Sequence, residues 1–302
     1  MLSTFKKIFR MKNRRHDFPV DHASSFDAYR EHLEKRASIH KFRWEKELVL
    51  ASSGAPFTTA GHCFPCNQQV EFKTDFLYSH TMVHGKPVPN WRERVLCPIC
   101  QMNNRTRASI QILEQHLAAH NLSRIYIAEQ VTPLYGALKK QYQNLVGSEY
   151  LGDKVALGSC DERGIRNESI TKLTFQANSF DYILNFDVLE HIPNVSLALN
   201  EIYRVLAHNG TLLMTVPFLP GETETRVRAS IDNQGEIVHL MEPQYHGDPI
   251  ADDGCLCFQD FGWDLLDQLR DIGFTNVDIL LYWSDQLGYY GVEQMMIVGK
   301  KS

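Results

Sequence analysis

Phe180-Asp-Tyr-Ile-Leu-Asn-Phe-Asp-Val-Leu-Glu-His-Ile-Pro193 decides how this chain is read. Residues 180–186 form a short run apolar enough for a strand buried on both faces. After Pro193, residues Val195, Ala198, Leu199, Ile202, Val205 and Leu206 recur on one helical face. They predict a helix over 194–207, with Asn209-Gly210 as its stop. Residues 211–216 read as the next strand. Upstream, 124–128 and 145–149 are strand candidates with a helix starting at Pro133 between them. Downstream, a helix is predicted over 262–272 and strands over 277–282 and 294–298. Strands alternating with helices argue for a parallel α/β sheet with right-handed crossovers. The last two strands are joined without an evident helix and are expected to pair antiparallel.

The 180–193 run, the helix ending Arg204-Val-Leu-Ala-His-Asn-Gly210 and the strand Thr211-Leu-Leu-Met-Thr-Val-Pro217 together resemble the class I methyltransferases, in particular the methyltransferase type 11 group. More loosely, the resemblance spans about residue 122 to the C-terminus. It implies a Rossmann-like seven-stranded, mostly parallel sheet with helices on both faces. It also implies S-adenosylmethionine as methyl donor and S-adenosylhomocysteine as product. Carried over by position, Glu149 accepts from the ribose hydroxyls, and Ser169 with Ile170 lines the adenine, Ser169 standing where the family usually has an acid. Asn185, Phe186, Asp187 and His191 fall at the carboxyl end of a parallel strand, where open α/β sheets bind ligands. Asp187 also suits a helix cap, and His191 a buried structural role.

The first strand departs from the family. Its usual Gly-x-Gly-x-Gly is replaced by Ala128-Glu-Gln-Val-Thr-Pro-Leu-Tyr-Gly136. Thr132-Pro133 is still a good helix start, whose free amides suit the methionine carboxylate. Glu129 is the candidate partner for the methionine ammonium. The missing glycines leave open a fold that has lost catalysis.

Cys63-Phe-Pro-Cys66 and Cys97-Pro-Ile-Cys100 are two C-x-x-C pairs thirty residues apart. Two such knuckles complete a tetrahedral four-sulfur shell with no open position, as in structural zinc sites. His62, His80 and His84 stand near as spare ligands. Arg92, Arg94, Arg105 and Arg107 lie around the pairs and suit either nucleic acid or docking on the catalytic domain.

Residues 217–259 look irregular, as acceptor-recognition insertions do. They hold His239, Glu242, Tyr245-His-Gly-Asp-Pro249, Asp252 and Asp253, followed closely by Phe258-Gln-Asp-Phe-Gly-Trp263. Aromatics beside carboxylates suit a hydroxylated small molecule or glycan. A hydroxyl acceptor needs a base, for which His246, His191 and Asp187 are the candidates. Cys255 and Cys257 with His246 offer the donors of a second metal site, though i, i+2 is a poor spacing for a knuckle.

Composition narrows the alternatives. The 302 residues are 43% hydrophobic and 22% charged, an ordinary globular balance, and no run nears the ~20 apolar residues of a membrane helix. Six basic residues precede the first acid, Asp17, so the remaining chain carries −11. An acidic body argues against gripping nucleic acid. Leu2, Phe5, Ile8 and Phe9 space the basic start as a surface-seeking helix that contacts a membrane through 2–15, or it is a solvated tail. Seven cysteines and no secretion signal favour a reducing, cytoplasmic setting. The expected organisation is a basic, helical segment over 1–50, a zinc module over 51–108 with a linker over 51–61, and a methyltransferase domain over 109–302. The rival readings are a non-catalytic adaptor and a zinc-guided nucleic-acid methyltransferase.

Overall fold

The computed structural model describes residues 18–77, 81–83, 85–247 and 254–302. Its central sheet is built from β1 (Val20–Ala23), β2 (Arg124–Ile127), β3 (Asn144–Gly147), β4 (Phe180–Phe186), β5 (Leu206–Thr215), β6 (Phe274–Ser284) and β7 (Tyr289–Lys301). Their order across the sheet is β1-β6-β7-β5-β4-β2-β3. β3, β2, β4 and β5 run parallel, whereas β7 is antiparallel to both β5 and β6. The expected seven-stranded α/β architecture is therefore present, with its closing antiparallel hairpin.

Several details differ from the sequence reading. Residues 21–23, expected to be helical, pair antiparallel with β6 as part of β1. The helix expected over 194–207 ends at Val205, and its chain enters β5 at once. Asn209, placed as the helix stop, instead has φ 61° inside β5, where the register with β4 slips between Leu206 and Thr211. Asparagine tolerates that left-handed backbone better than most residues.

The helices are α1 (Phe26–Lys35), α2 (Ala37–Leu50), α3 (Asn104–Gln111), α4 (Pro133–Gln141), α5 (Val195–Val205) and α6 (Asp264–Ile272). One sheet face, with Ile183, Leu212, Met214 and Ile279, buries the apolar sides of α5 and α6. The other, with Ile125, Leu184, Leu213 and Leu280, buries those of α3 and α4. This alternation along each strand is what β periodicity requires. Thr132 caps α4 by accepting from the Tyr135 amide at 3.2 Å, with Pro133 at its first turn.

A second, smaller core joins Phe72, Val95 and Trp91 to Cys63, Cys97 and Tyr290 of β7. Its three-stranded sheet is Phe57–Cys63, Gln68–Thr74 and Val95–Leu96. Residues 57–61, expected in a linker, are therefore strand. No described helix is long and apolar enough to cross a membrane. The basic segment 2–15, His80, His84, Asp248, Pro249, Asp252 and Asp253 lie outside the described residues.

Candidate active site

A cleft of about 2100 Å³ opens at the carboxyl ends of β2, β3, β4 and β5. Parallel strands deliver Glu129, Glu149, Asp187 and Val216 to its wall, one from each strand end. Thr132, Ser169, Ile170, Phe186, His191 and His246 also line it. The exception is Asn185, which is fully buried in β4 with neither side-chain amide atom hydrogen-bonded.

The loop replacing the glycine-rich turn folds onto β3. Glu149 Oε1 accepts from the amides of Gln130 at 2.6 Å and Val131 at 3.0 Å. Gly147 makes this possible, because a Cβ there would lie 2.5 Å from the Tyr135 ring and 2.7 Å from the Glu129 carbonyl. Burial pushes the Glu129 carboxyl up to about 7. A carboxylate without a strong cation beside it in a dry wall is a ready partner for an ammonium. Ser169 shares its hydroxyl with Thr171 at 2.9 Å. The adjacent acid, Glu168, is committed internally to Arg166 at 2.8 Å and to the Thr174 amide at 2.9 Å.

Asp187 has φ 53° and is held on three sides. Arg92 donates to it through both terminal nitrogens at 2.7 and 2.6 Å, Arg105 approaches to 3.2 Å, and Thr215 Oγ1 donates at 2.9 Å. Burial opposes its charge, but Arg105 and Arg92 hold its carboxyl well below the usual range. A carboxylate so engaged is no general base, and the geometry gives Asp187 the office of an anchor. The same arginines contact Glu93, completing a balanced cluster of two cations and two anions. Arg94 binds Asp75 at 2.6 Å, and Arg107 is fully buried. All four arginines therefore serve contacts within the fold.

His191 and His246 face each other edge-on, their rings 5.4 Å apart. The His191 Nδ1 hydrogen points to the Leu256 carbonyl at 2.8 Å. Cys257 and Glu190 beside it push the His246 imidazole up to about 10. Burial works against the Cys257 thiolate, yet His191 and His246 bring the thiol below its usual range. The insertion is fastened here: the Phe258 amide donates to the Glu190 carbonyl at 2.7 Å, and Gln259 donates to that of Ile192 at 2.9 Å.

The four cysteines meet in the small module. Cys63 and Cys100 sulfurs are 3.7 Å apart, Cys66 and Cys97 3.8 Å, and all four lie within 4.8 Å of one another. Disulfide bonds are about 2.05 Å, whereas a tetrahedron with ~2.3 Å zinc–sulfur bonds has edges of about 3.8 Å. Each pair is followed by a left-handed residue, Asn67 at φ 52° and Gln101 at φ 60°. The Asn67 amide then donates to the Phe64 carbonyl and the Gln101 amide to that of Cys97, each at 3.0 Å. The first bond spans three residues and the second four, so the knuckles close by different turns, each ended by a left-handed residue, and the four-thiol donor set fits zinc. Buried His62 lies outside this four-sulfur group.

A family model described as a methyltransferase domain matches residues 134–214, from α4 through most of β5. This stretch of the chain is similar to a methyltransferase domain. A search of curated proteins finds no match. Among solved structures the chain is similar to an S-adenosylmethionine-dependent methyltransferase from Mesorhizobium loti, with 14% identity and TM-score 0.36 over 62% of this chain and 95% of that one. It is also similar to the 1,6-didemethyltoxoflavin N1-methyltransferase of Burkholderia thailandensis, with 16% identity and TM-score 0.37 over 65% and 78%. A possible histamine N-methyltransferase from Thermotoga maritima gives 16% identity and TM-score 0.36 over 66% and 91%.

Sequence reasoning set Cys257 beside His246 as metal ligands but missed Glu190 and the part of His191 in that group. The Glu190-His191 pair was in view in the motif itself. Cys255, paired with Cys257 by its spacing, is not in the group.

Proposed function

We propose that this protein is an S-adenosylmethionine-dependent methyltransferase that methylates a hydroxyl of a small-molecule or glycan acceptor, steadied by a structural zinc in its four-cysteine module. The observation that carries the reading is the cleft at the ends of four parallel strands, three of which, β3, β4 and most of β5, fall in the stretch matched as a methyltransferase domain. Glu149 would accept from the ribose, Ile170 and Ser169 would bound the adenine, and Phe186 would form an apolar wall. Glu129 would take the methionine ammonium, and the amides after Thr132 its carboxylate. Asn185, buried beneath the same strand ends, would support this wall. Bound there, the cofactor supplies an electrophilic methyl on a sulfonium sulfur. The protein's work is then alignment of acceptor and methyl. His191 and His246, with Glu190 and Cys257, are the groups placed to handle the acceptor's proton. The arginines' internal partners weigh against a nucleic-acid acceptor.

Titration calorimetry with S-adenosylhomocysteine, on wild type and Glu149→Ala, tests the reading. Micromolar binding that collapses in the variant is expected. No binding by folded wild-type protein would replace it with the adaptor reading, for which the Glu149 bonds to the Gln130 and Val131 amides speak, since they occupy the carboxylate meant for ribose.

A further inference from the structure

We propose that His191, His246 and Cys257, bordered by Glu190, form a second metal site, for a divalent cation of the zinc class, at the acceptor end of the cleft. One ligand atom from each of the three residues lies within 4.8 Å of the other two. Three distant segments have to meet for this. His191 ends the turn Leu189–His191 after β4. His246 and Cys257 come from a small hairpin in which Tyr245 pairs with Leu256 and His246 with Cys255. The hairpin is tied to the turn through the Leu256 carbonyl and the Phe258 amide.

Glu190 is the independent observation. Its side chain is fully buried, and neither carboxylate oxygen makes a hydrogen bond. A buried carboxylate without hydrogen bonds is strongly unfavourable unless a cation compensates it. Its Oε1 lies 3.5 Å from His246 Nδ1 and 3.8 Å from His191 Nε2. A cation seated among these atoms would face one thiolate and one carboxylate, which balance its two charges.

The ring orientations agree. The Leu256 carbonyl takes the Nδ1 hydrogen of His191, which leaves Nε2 with its lone pair on the Glu190 side. That is the usual second-shell arrangement of a metal-binding histidine. The Gln244 amide lies 3.2 Å from His246 Nε2, at the ring edge away from Glu190. With its oxygen turned to that edge it accepts the Nε2 hydrogen, and Nδ1 is left as ligand.

Two imidazoles and a thiolate suit zinc rather than magnesium or calcium. The cysteine tetrad is a closed shell, but this site has three ligands, and His191 and His246 line the cleft. Its remaining position therefore opens toward the acceptor. Resting on the methyltransferase reading, an acceptor hydroxyl seated there would be oriented and made more acidic, its proton leaving to water.

The test loads the full-length chain with zinc, removes excess metal by dialysis and counts bound zinc. Two ions per chain are expected in the wild type. Cys257→Ser and His246→Gln should each lose one and keep the fold by circular dichroism. Unchanged metal content in both variants would overturn the proposal and leave an imidazolium–thiolate cluster. Cobalt titration of the wild type decides the matter without variants: a second equivalent must bind with a thiolate charge-transfer band, and saturation at one equivalent overturns it. Two zinc ions with no binding of S-adenosylhomocysteine would keep the site and sink the methyltransferase reading instead.

Discussion

Arg92 grips Asp187 with both terminal nitrogens, at 2.7 and 2.6 Å, across the seam between the cysteine module and the central sheet. The arginine belongs to a short helix, Trp91–Arg94, placed between the two cysteine knuckles. The aspartate directly follows β4, at the mouth of the cleft. Correct closure of the four-cysteine module and correct shape of the cleft are therefore one event. The module is a wall of the candidate active site.

Replacing Arg92 tests that coupling. Arg92→Ala leaves Asp187 with Arg105 and Thr215 only. The pair is partly exposed, 27% and 19%, so the cost lies between surface and buried limits, about 2 kcal/mol. Urea unfolding should show it at pH 7. Asp187 is held below the ordinary carboxylate range, so the clamp's stabilisation is complete above that range and is lost as pH falls from it through the depressed folded value. The gap between variant and wild type should accordingly hold down to the ordinary carboxylate range and narrow below it. A gap that stayed constant into the most acidic buffer in which both proteins fold would show that the charge of Asp187 is irrelevant.

Glu129 gives a pH signature of the opposite kind. Burial raises its carboxyl to about 7. Between the ordinary glutamate value and 7 the folded state holds a proton that the unfolded chain has released. This residue's contribution to stability therefore falls as pH rises through that window. An ammonium beside it needs the ionised form. Binding of S-adenosylhomocysteine should weaken below pH 7, approaching about tenfold per unit, with proton release visible as a buffer-dependent enthalpy. In Glu129→Gln both effects should vanish. A wild-type affinity flat from pH 6 to 8 would remove Glu129 from the ammonium site.

Much of the architecture was legible because it is periodic. The apolar run at 180–186 and the stripe from Val195 to Val205 announce a buried strand and an amphipathic helix, and both are present. Local chemistry was legible too: Thr132-Pro133 starts a helix where capping rules require it. What escaped depends on distant contacts. Val20–Ala23 becomes a strand because β6 offers an open edge, which nothing in its own four residues signals. The contacts of Glu190 escaped likewise. Docking on the catalytic domain was in view for Arg92, but its partner, 95 residues away, was not.

Arg107 links the cysteine cluster to the hairpin of β6 and β7. Its guanidinium is fully buried, donates to the carbonyls of Leu287 at 2.6 Å, Gly288 at 3.0 Å and Val95 at 3.3 Å, and stacks 4.0 Å from the Phe72 ring centre. Among the charges that act on Cys63, Arg107 is one that favours its thiolate. Arg107→Leu should strand three carbonyls at a cost of about 3 kcal/mol or more, and it should weaken zinc retention under chelator. A variant with lowered melting temperature but unchanged zinc release would confine Arg107 to packing.

Glu47 performs a similar task at the same end of that hairpin, a few residues along from the turn. It is fully buried in α2 and accepts from the Trp283 indole at 2.7 Å and from the amides of Gly291 at 2.7 Å and Val292 at 3.0 Å. Val292 sits at φ 60°, which a β-branched residue adopts only under compulsion. The glutamate supplies that compulsion, since its carboxylate collects the amides exposed by the turned backbone. Glu47→Ala should remove three hydrogen bonds and cost about 3 kcal/mol or more. Glu47→Gln, which keeps an accepting oxygen and sheds a buried charge, should cost far less. Val292→Gly should relieve the strained backbone by about 1 kcal/mol, offset by glycine's larger unfolded-state entropy, for a net change near zero. If Val292→Gly instead destabilised as strongly as Glu47→Ala, the valine side chain rather than the turn would be what α2 holds. Chemical denaturation of the three variants separates these outcomes.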